Sequence, residues 1–234
     1  MMQLREFKSS EQLNQAFCQH IVAHLTEAIQ QRGQAVLAVS GGRTPQALFR
    51  QLAATPLPWD KVIITLADDR FLPPEHPDSN EGLVKSFLLQ QHAAAASFVS
   101  LYSPATDGDL DADAAIPRLL QRVKSLPDFD VLILGMGEDG HTASLFPCSQ
   151  QLSYAMADAA PDVVAVHPTT APYARISFSR PKLQRSKHIY LHVVGAKKLA
   201  VLQHAVAGHD IFAMPIRAFI HANTPELQVM YSEQ

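Results

Sequence analysis

The sequence predicts an α/β fold: a mostly parallel sheet with helices on both faces, in a Rossmann-like, doubly wound single domain spanning residues 1–234. Three observations lead there. Short apolar runs recur along the chain, too short for helices and bounded by glycine, proline or acidic residues. Segments with helical periodicity lie between several of them, and strands that alternate with helices form parallel sheets. The loops that follow these runs hold most of the chemically loaded residues, as expected of a fold that binds ligands beyond the carboxyl ends of its strands.

Each element has its own signal. Residues Ser9 to Gln31 read as a helix, with Leu13, Phe17, Ile21, Leu25 and Ile29 recurring every four residues as an apolar stripe. Ser9 and Gln12 form a capping box at its start, and Gly33 stands where it ends. Ala35–Val39 is a buried strand leading into SGGRTP, where Thr44 and Pro45 look like the N-cap and first residue of a helix through Gln46–Leu52. Val62–Leu66, Ser97–Leu101, Asp130–Leu134, Val163–Val166, Arg175–Ser179 and His188–Val194 read as further strands. Helices are expected at 80–91, 113–125 and 196–207. The Ala93–Ala96 run and the acidic turn Asp107–Asp113 read as surface connections, not as linkers between domains.

Composition narrows the function. The 234 residues are 47% hydrophobic, enough to bury a sizeable core. The formal net charge of −3 gives no general attraction to nucleic acid or to an anionic membrane, so an anionic substrate requires locally concentrated cations. Two cysteines, Cys18 and Cys148, form no metal pattern or disulfide framework and suit a reducing, cytoplasmic setting. The N-terminal MMQLREFKSSEQ lacks the apolar core of a signal peptide, and no run reaches the roughly 18 apolar residues of a membrane span.

The most informative stretch is GMGEDGHTASLFP, residues 135–147, after the apolar Val131–Leu134. Gly135, Gly137 and Gly140 fit the dinucleotide pattern G-x-G-x-x-G, but its context fails. Pro147 interrupts the chain where a long helix should run, and the next clear strand, Val163–Val166, ends in His167 and not in an acid. The glycines serve instead to turn the backbone tightly and expose Asp139 and His141. Histidine is the side chain suited to accept a proton near neutral pH. A plainer reading also fits: Asp139 as a helix cap and His141 as a surface ring.

SGGRTP supplies backbone N–H groups and hydroxyls from Ser40, Gly41, Gly42 and Thr44 just before a helix, an anion site without the Lys-Ser/Thr of a nucleotide-binding P-loop. Asp68, Asp69 and Arg70 directly follow a strand. His76, Asp78 and Asn80 lie in a proline-rich loop that can border the same pocket. Arg175 begins a strand and Lys198 opens a helix. The eleven histidines include no metal-binding pair at helical spacing.

Taken in order, SGGRTP (40–45), DDRFLPPEHPDSN (68–80), GMGEDGHTASLFP (135–147), ARIS (174–177) and GAKK (195–198) resemble blocks of the 6-phosphogluconolactonase family, within the group that includes glucosamine-6-phosphate deaminase. The resemblance spans about residues 35–205. It implies hydrolysis of 6-phospho-D-glucono-1,5-lactone to 6-phosphogluconate, the second step of the oxidative pentose phosphate pathway, without metal or cofactor. It places the general base on His141 and phosphate contacts on Ser40, Gly41, Gly42, Thr44, Arg70, Arg175 and Lys198. Either Asp139 or Asp68 would orient His141, and Arg70 or backbone N–H groups would face the oxyanion. The expected partner is thus a small phosphosugar lactone, with no nucleic acid and no membrane; no oligomeric state is implied. The chain departs from the family pattern at Arg43 (often Ser), at Asp69 (often Glu) and in its ending VMYSEQ, which lacks a tryptophan.

Two alternatives stand against this. The deaminase branch carries Glu where this chain has Phe146 and Tyr where it has Arg70, and a phenylalanine cannot transfer protons. Phosphosugar sensor domains are usually fused to a DNA-binding helix pair, and no basic helix-turn-helix precedes residue 35.

Overall fold

The computed structural model describes residues 2–106, 110–223 and 225–234. Part of the acidic turn expected at Asp107–Asp113 therefore lies outside the described residues; Asp111 within it caps a helix. The chain order is β1 (Gln3–Phe7), α1 (Ser10–Arg32), β2 (Ala35–Val39), α2 (Gln46–Ala54), β3 (Val62–Leu66), β4 (Asp68–Arg70), α3 (Asn80–Phe87), β5 (Ser97–Val99), α4 (Ala112–Val123) and β6 (Val131–Leu134). It continues with α5 (Leu152–Met156), β7 (Val163–Val166), β8 (Arg175–Phe178), α6 (Arg180–Gln184), β9 (His188–Val194), α7 (Ala196–Ala207), α8 (Arg217–Ile220) and β10 (Leu227–Ser232).

Seven strands form one sheet in the order β1-β10-β9-β6-β2-β3-β5, and every pairing in it is parallel. Every residue of β2 and β6 is buried, so both faces of the sheet are covered there. From β2 the chain steps outward to β3 and β5, then returns to place β6 on the other side of β2. The strand order thus reverses between β2 and β6, and the loops after these two strands diverge to leave a crevice. Helix α1 starts and stops as the sequence predicts: the Ser9 side chain accepts from the Gln12 N–H, and Gly33 takes a left-handed conformation at φ 78°. Its buried face carries Leu13, Phe17, Ile21, Leu25 and Ile29.

Three expectations need correction, and one pair of strands was not expected. Val163–Val166 and Arg175–Ser179 do not extend the parallel sheet. They are β7 and β8 of a separate antiparallel sheet ordered β4-β8-β7. The physical reason is reach: their connection, residues 167–174, is too short for the crossover that parallel neighbours need. Thr44 is not a side-chain cap, because α2 begins after Pro45 with no side-chain hydrogen bond at that end. The helix expected over 80–91 ends at Phe87, and a short 3₁₀ turn covers Gln91–Ala95. Finally, β1 and β10 form one edge of the large sheet and carry no strong apolar alternation in the sequence. Among the described residues, no helix is long and apolar enough to cross a membrane, and Cys18 and Cys148 are free thiols.

Candidate active site

The crevice at the strand-order reversal is a cavity of about 540 Å³. Its wall includes Ser40, Gly41, Gly42, Thr44, Asp68, Arg70, His141, Arg175 and Lys198, so nine of the ten residues given a catalytic or binding role in the sequence meet there. The tenth, Asp139, is bonded to His141. Asp78 and Asn80 also border the cavity, as the proline-rich loop suggests; His76 and the exposed Arg43 do not.

The loop after β6 is built around the histidine. The Gly137 N–H donates to the His141 carbonyl at 2.9 Å and closes the turn. A Cβ on Gly137 would collide with the His141 ring and the Asp139 carboxylate, so that glycine makes room for the pair. Gly140 sits at φ 76°, and a Cβ there would meet Met214. The glycines of the dinucleotide-like pattern therefore serve to hold Asp139 and His141. Asp139 Oδ1 lies 2.5 Å from His141 Nδ1 and accepts from the His141 backbone N–H at 3.1 Å. Burial alone would raise the Asp139 carboxyl pKa, but the hydrogen bond and charge of His141 outweigh it and hold the group below the usual carboxylate range. No helix follows to be capped by Asp139; Thr142 and Leu145 instead form an isolated bridge.

Asp68 does not reach for the histidine. Its Oδ2 accepts from the Ser144 hydroxyl at 2.5 Å, and the Ser144 N–H is held in turn by the Ser177 hydroxyl at 3.2 Å. The two carboxylates left open as orienters are thus separated by geometry, and Asp139 is the one bonded to the ring. Asp69 turns away from the cavity. It accepts from the backbone N–H groups of Arg70, Asn80 and Glu81 at 2.7, 2.7 and 2.9 Å, anchoring the start of α3.

Cations reach the same cavity from two sources. Arg70 ends β4 and Arg175 begins β8, and the two residues are register partners. Burial pulls the Arg175 guanidinium below its ordinary value and the charge of Arg70 adds to this, opposed by Asp68, Asp69 and Asp78. Among the described residues, the buried Arg175 Nε has no acceptor. Lys198, in the first turn of α7, gives one hydrogen bond to the Met136 carbonyl at 2.8 Å. The SGG segment lines the same cavity. Gly42 is at φ 98°, and a side chain on Gly41 would strike the Asn80 amide, which itself donates to the Asp68 carbonyl at 3.1 Å.

Sequence reasoning missed Ser144, Tyr173 and His192. Ser144 is hidden in an otherwise apolar stretch of the β6 loop. Tyr173 enters only because β7 and β8 fold back as a hairpin; its residue lies at φ 70°, and its hydroxyl donates to Asp78 Oδ2 at 3.1 Å. The shortness of segment 167–174 was a usable signal for that hairpin.

Comparison with known proteins identifies the family. A family model described as glucosamine-6-phosphate isomerases/6-phosphogluconolactonase matches residues 8–229. A 6-phosphogluconolactonase of Pseudomonas putida is 41% identical over 221 residues, covering 94% of this chain and 90% of that one. Its counterpart in Rhizobium meliloti is also 41% identical, covering 97% of each chain. The crystal structure of a 6-phosphogluconolactonase from Shewanella baltica superposes with a TM-score of 0.95 at 39% identity, covering 99% of this chain and 98% of that one. By sequence and by fold, the chain belongs to the glucosamine-6-phosphate isomerase/6-phosphogluconolactonase family.

Proposed function

We propose that the protein hydrolyses 6-phospho-D-glucono-1,5-lactone to 6-phospho-D-gluconate, with His141 as the general base. One observation carries the reading: a histidine held by a carboxylate lines the same cavity as Arg70, Arg175 and Lys198. The names of relatives that match nearly the whole chain support it.

The chemistry follows from the geometry. With Nδ1 donating to Asp139, the neutral imidazole presents Nε2 as its acceptor. Nε2 takes a proton from water as the water oxygen bonds to the lactone carbonyl carbon. The bond from that carbon to the ring oxygen then breaks, and the imidazolium returns the proton to the departing oxygen. Asp139 stabilises the imidazolium between these steps. The cations and the SGG loop hold the phosphate and so fix the carbonyl against the water, which is the orientation term of catalysis. A δ-lactone is electrophilic enough to need no covalent nucleophile. The deaminase reading is disfavoured at Phe146, whose ring lies 4.1 Å from that of His141, centre to centre, where an acid would be needed to shuttle protons.

The test is His141→Ala assayed on freshly made 6-phosphogluconolactone, with spontaneous hydrolysis subtracted. Turnover should fall by roughly 10²–10⁴ with binding largely kept. Near-wild-type kcat would remove His141 from the mechanism. Ammonia release from glucosamine 6-phosphate would favour the deaminase, and binding of lactone without consumption would favour a sensor.

A further inference from the structure

The base and the buried arginine share one neighbour. Phe146 is 4% exposed and lines the cavity. Its ring lies against that of His141, tilted by 30°, and the Arg175 guanidinium carbon lies 5.6 Å from its centre. The ring is itself well placed to hold them: the Ser149 N–H donates to the Phe146 carbonyl at 3.1 Å, and Pro147 restricts its backbone.

We propose that Phe146 is a positioning residue for lactone hydrolysis, setting the orientation of His141 and of Arg175 at once; this rests on the hydrolase reading above. The hydrogen bond from Nδ1 to Asp139 fixes one edge of the imidazole but leaves the ring able to swing about that bond. A ring lying against it removes that freedom. Arg175 has one hydrogen bond from its tip, Nη2 to the Pro172 carbonyl at 3.1 Å, and a contact with an aromatic ring steadies a guanidinium without consuming a donor. Phe146 thus restrains both groups without taking a hydrogen bond from either. A carboxylate of similar reach would pair with one or both and occupy them.

The experiment compares Phe146→Leu and Phe146→Tyr in the full chain. Three readouts are taken: kcat on 6-phosphogluconolactone, inhibition by inorganic phosphate, and melting temperature. In Phe146→Leu, kcat should fall about tenfold through loss of base orientation, and phosphate should bind about threefold more weakly through loss of the ring contact to Arg175. Phe146→Tyr, which keeps the ring, should stay within about twofold of wild type on both. If Phe146→Leu does not fold, Phe146→Met takes its place, since a flexible thioether fills the same volume. A folded Leu or Met variant with wild-type kcat and phosphate binding overturns the proposal, because packing alone would then suffice. A Tyr variant as impaired as the Leu variant overturns it too. Failure of the hydrolase reading looks different: wild type would not consume the lactone, while phosphate binding would still report on the contact with Arg175.

Discussion

The seven parallel strands and the three antiparallel ones contribute different chemistry to one cavity. From the large sheet come loops: the SGG segment after β2, the Asp139–His141 turn after β6 and Lys198 after β9. From the small sheet come strand residues, Asp68 and Arg70 on β4 and Arg175 on β8. Under the proposed mechanism, proton transfer falls on a turn shaped by glycines, and the ladder supplies Arg70 and the buried Arg175 for recognition of charge, beside Lys198 and the SGG segment. The contrast suggests that turnover and affinity are separable by region.

The sharpest way to break that division is at the two ends of it. Asp139→Asn keeps the shape of the partner but removes its charge, so kcat should fall about a hundredfold with KM nearly unchanged, as measured by steady-state kinetics. Arg175→Met should do the reverse. Losing a charge-assisted contact should raise KM by roughly tenfold to a hundredfold and leave kcat within a few-fold. Equal changes in both parameters for both variants would dissolve the division.

A third, smaller effect sharpens it from the side of stability. His192 on β9 is buried beside Phe17, with ring centres 5.4 Å apart, and burial lowers its pKa to about 4. Its folded value lies below the ordinary one of 6.5. The unfolded chain therefore binds the proton first as pH falls, and stability is lost progressively from about pH 6.5 down to about pH 4. Urea unfolding at pH 7.5 and pH 5 should show about 2 kcal/mol of acid loss that His192→Leu removes. An unchanged pH dependence in that variant would assign the acid sensitivity elsewhere, for example to His24, which burial, the facing His188 and nearby His20 lower to about 4 despite Glu27.

What the sequence made legible follows the same regional line. The inner strands of the large sheet are short apolar runs that nothing else explains, and α1 announces its own ends through Ser9 and Gly33. The loops after these strands were readable as chemistry because their residue types are unusual: glycines beside an acid and a histidine, or a double glycine before a helix. The small sheet was illegible for a physical reason. β4 is three residues long and two of them are acids, so no apolar period marks it, and β7 and β8 look like any buried strand until their partners are known. The partner of His141 was beyond the sequence as well. Asp68 and Asp139 are equivalent in type, and only the placement of Ser144 shows that Asp68 is engaged elsewhere. Phe146 was noticed for the acid it is not, and its contacts with His141 and Arg175 needed coordinates.

Ala67, the single residue between β3 and β4, has a mechanical consequence. Its N–H donates to the Val39 carbonyl of β2 at 2.8 Å, and its own carbonyl accepts from the Phe178 N–H of β8 at 3.0 Å. One residue thus ties the large sheet to the small one, next in the chain to Asp68 of the cavity wall. Sliding one sheet past the other at that point would cost both hydrogen bonds. At the rim, by contrast, the 167–174 connection and the proline-rich loop meet through the exposed side chains of Tyr173 and Asp78.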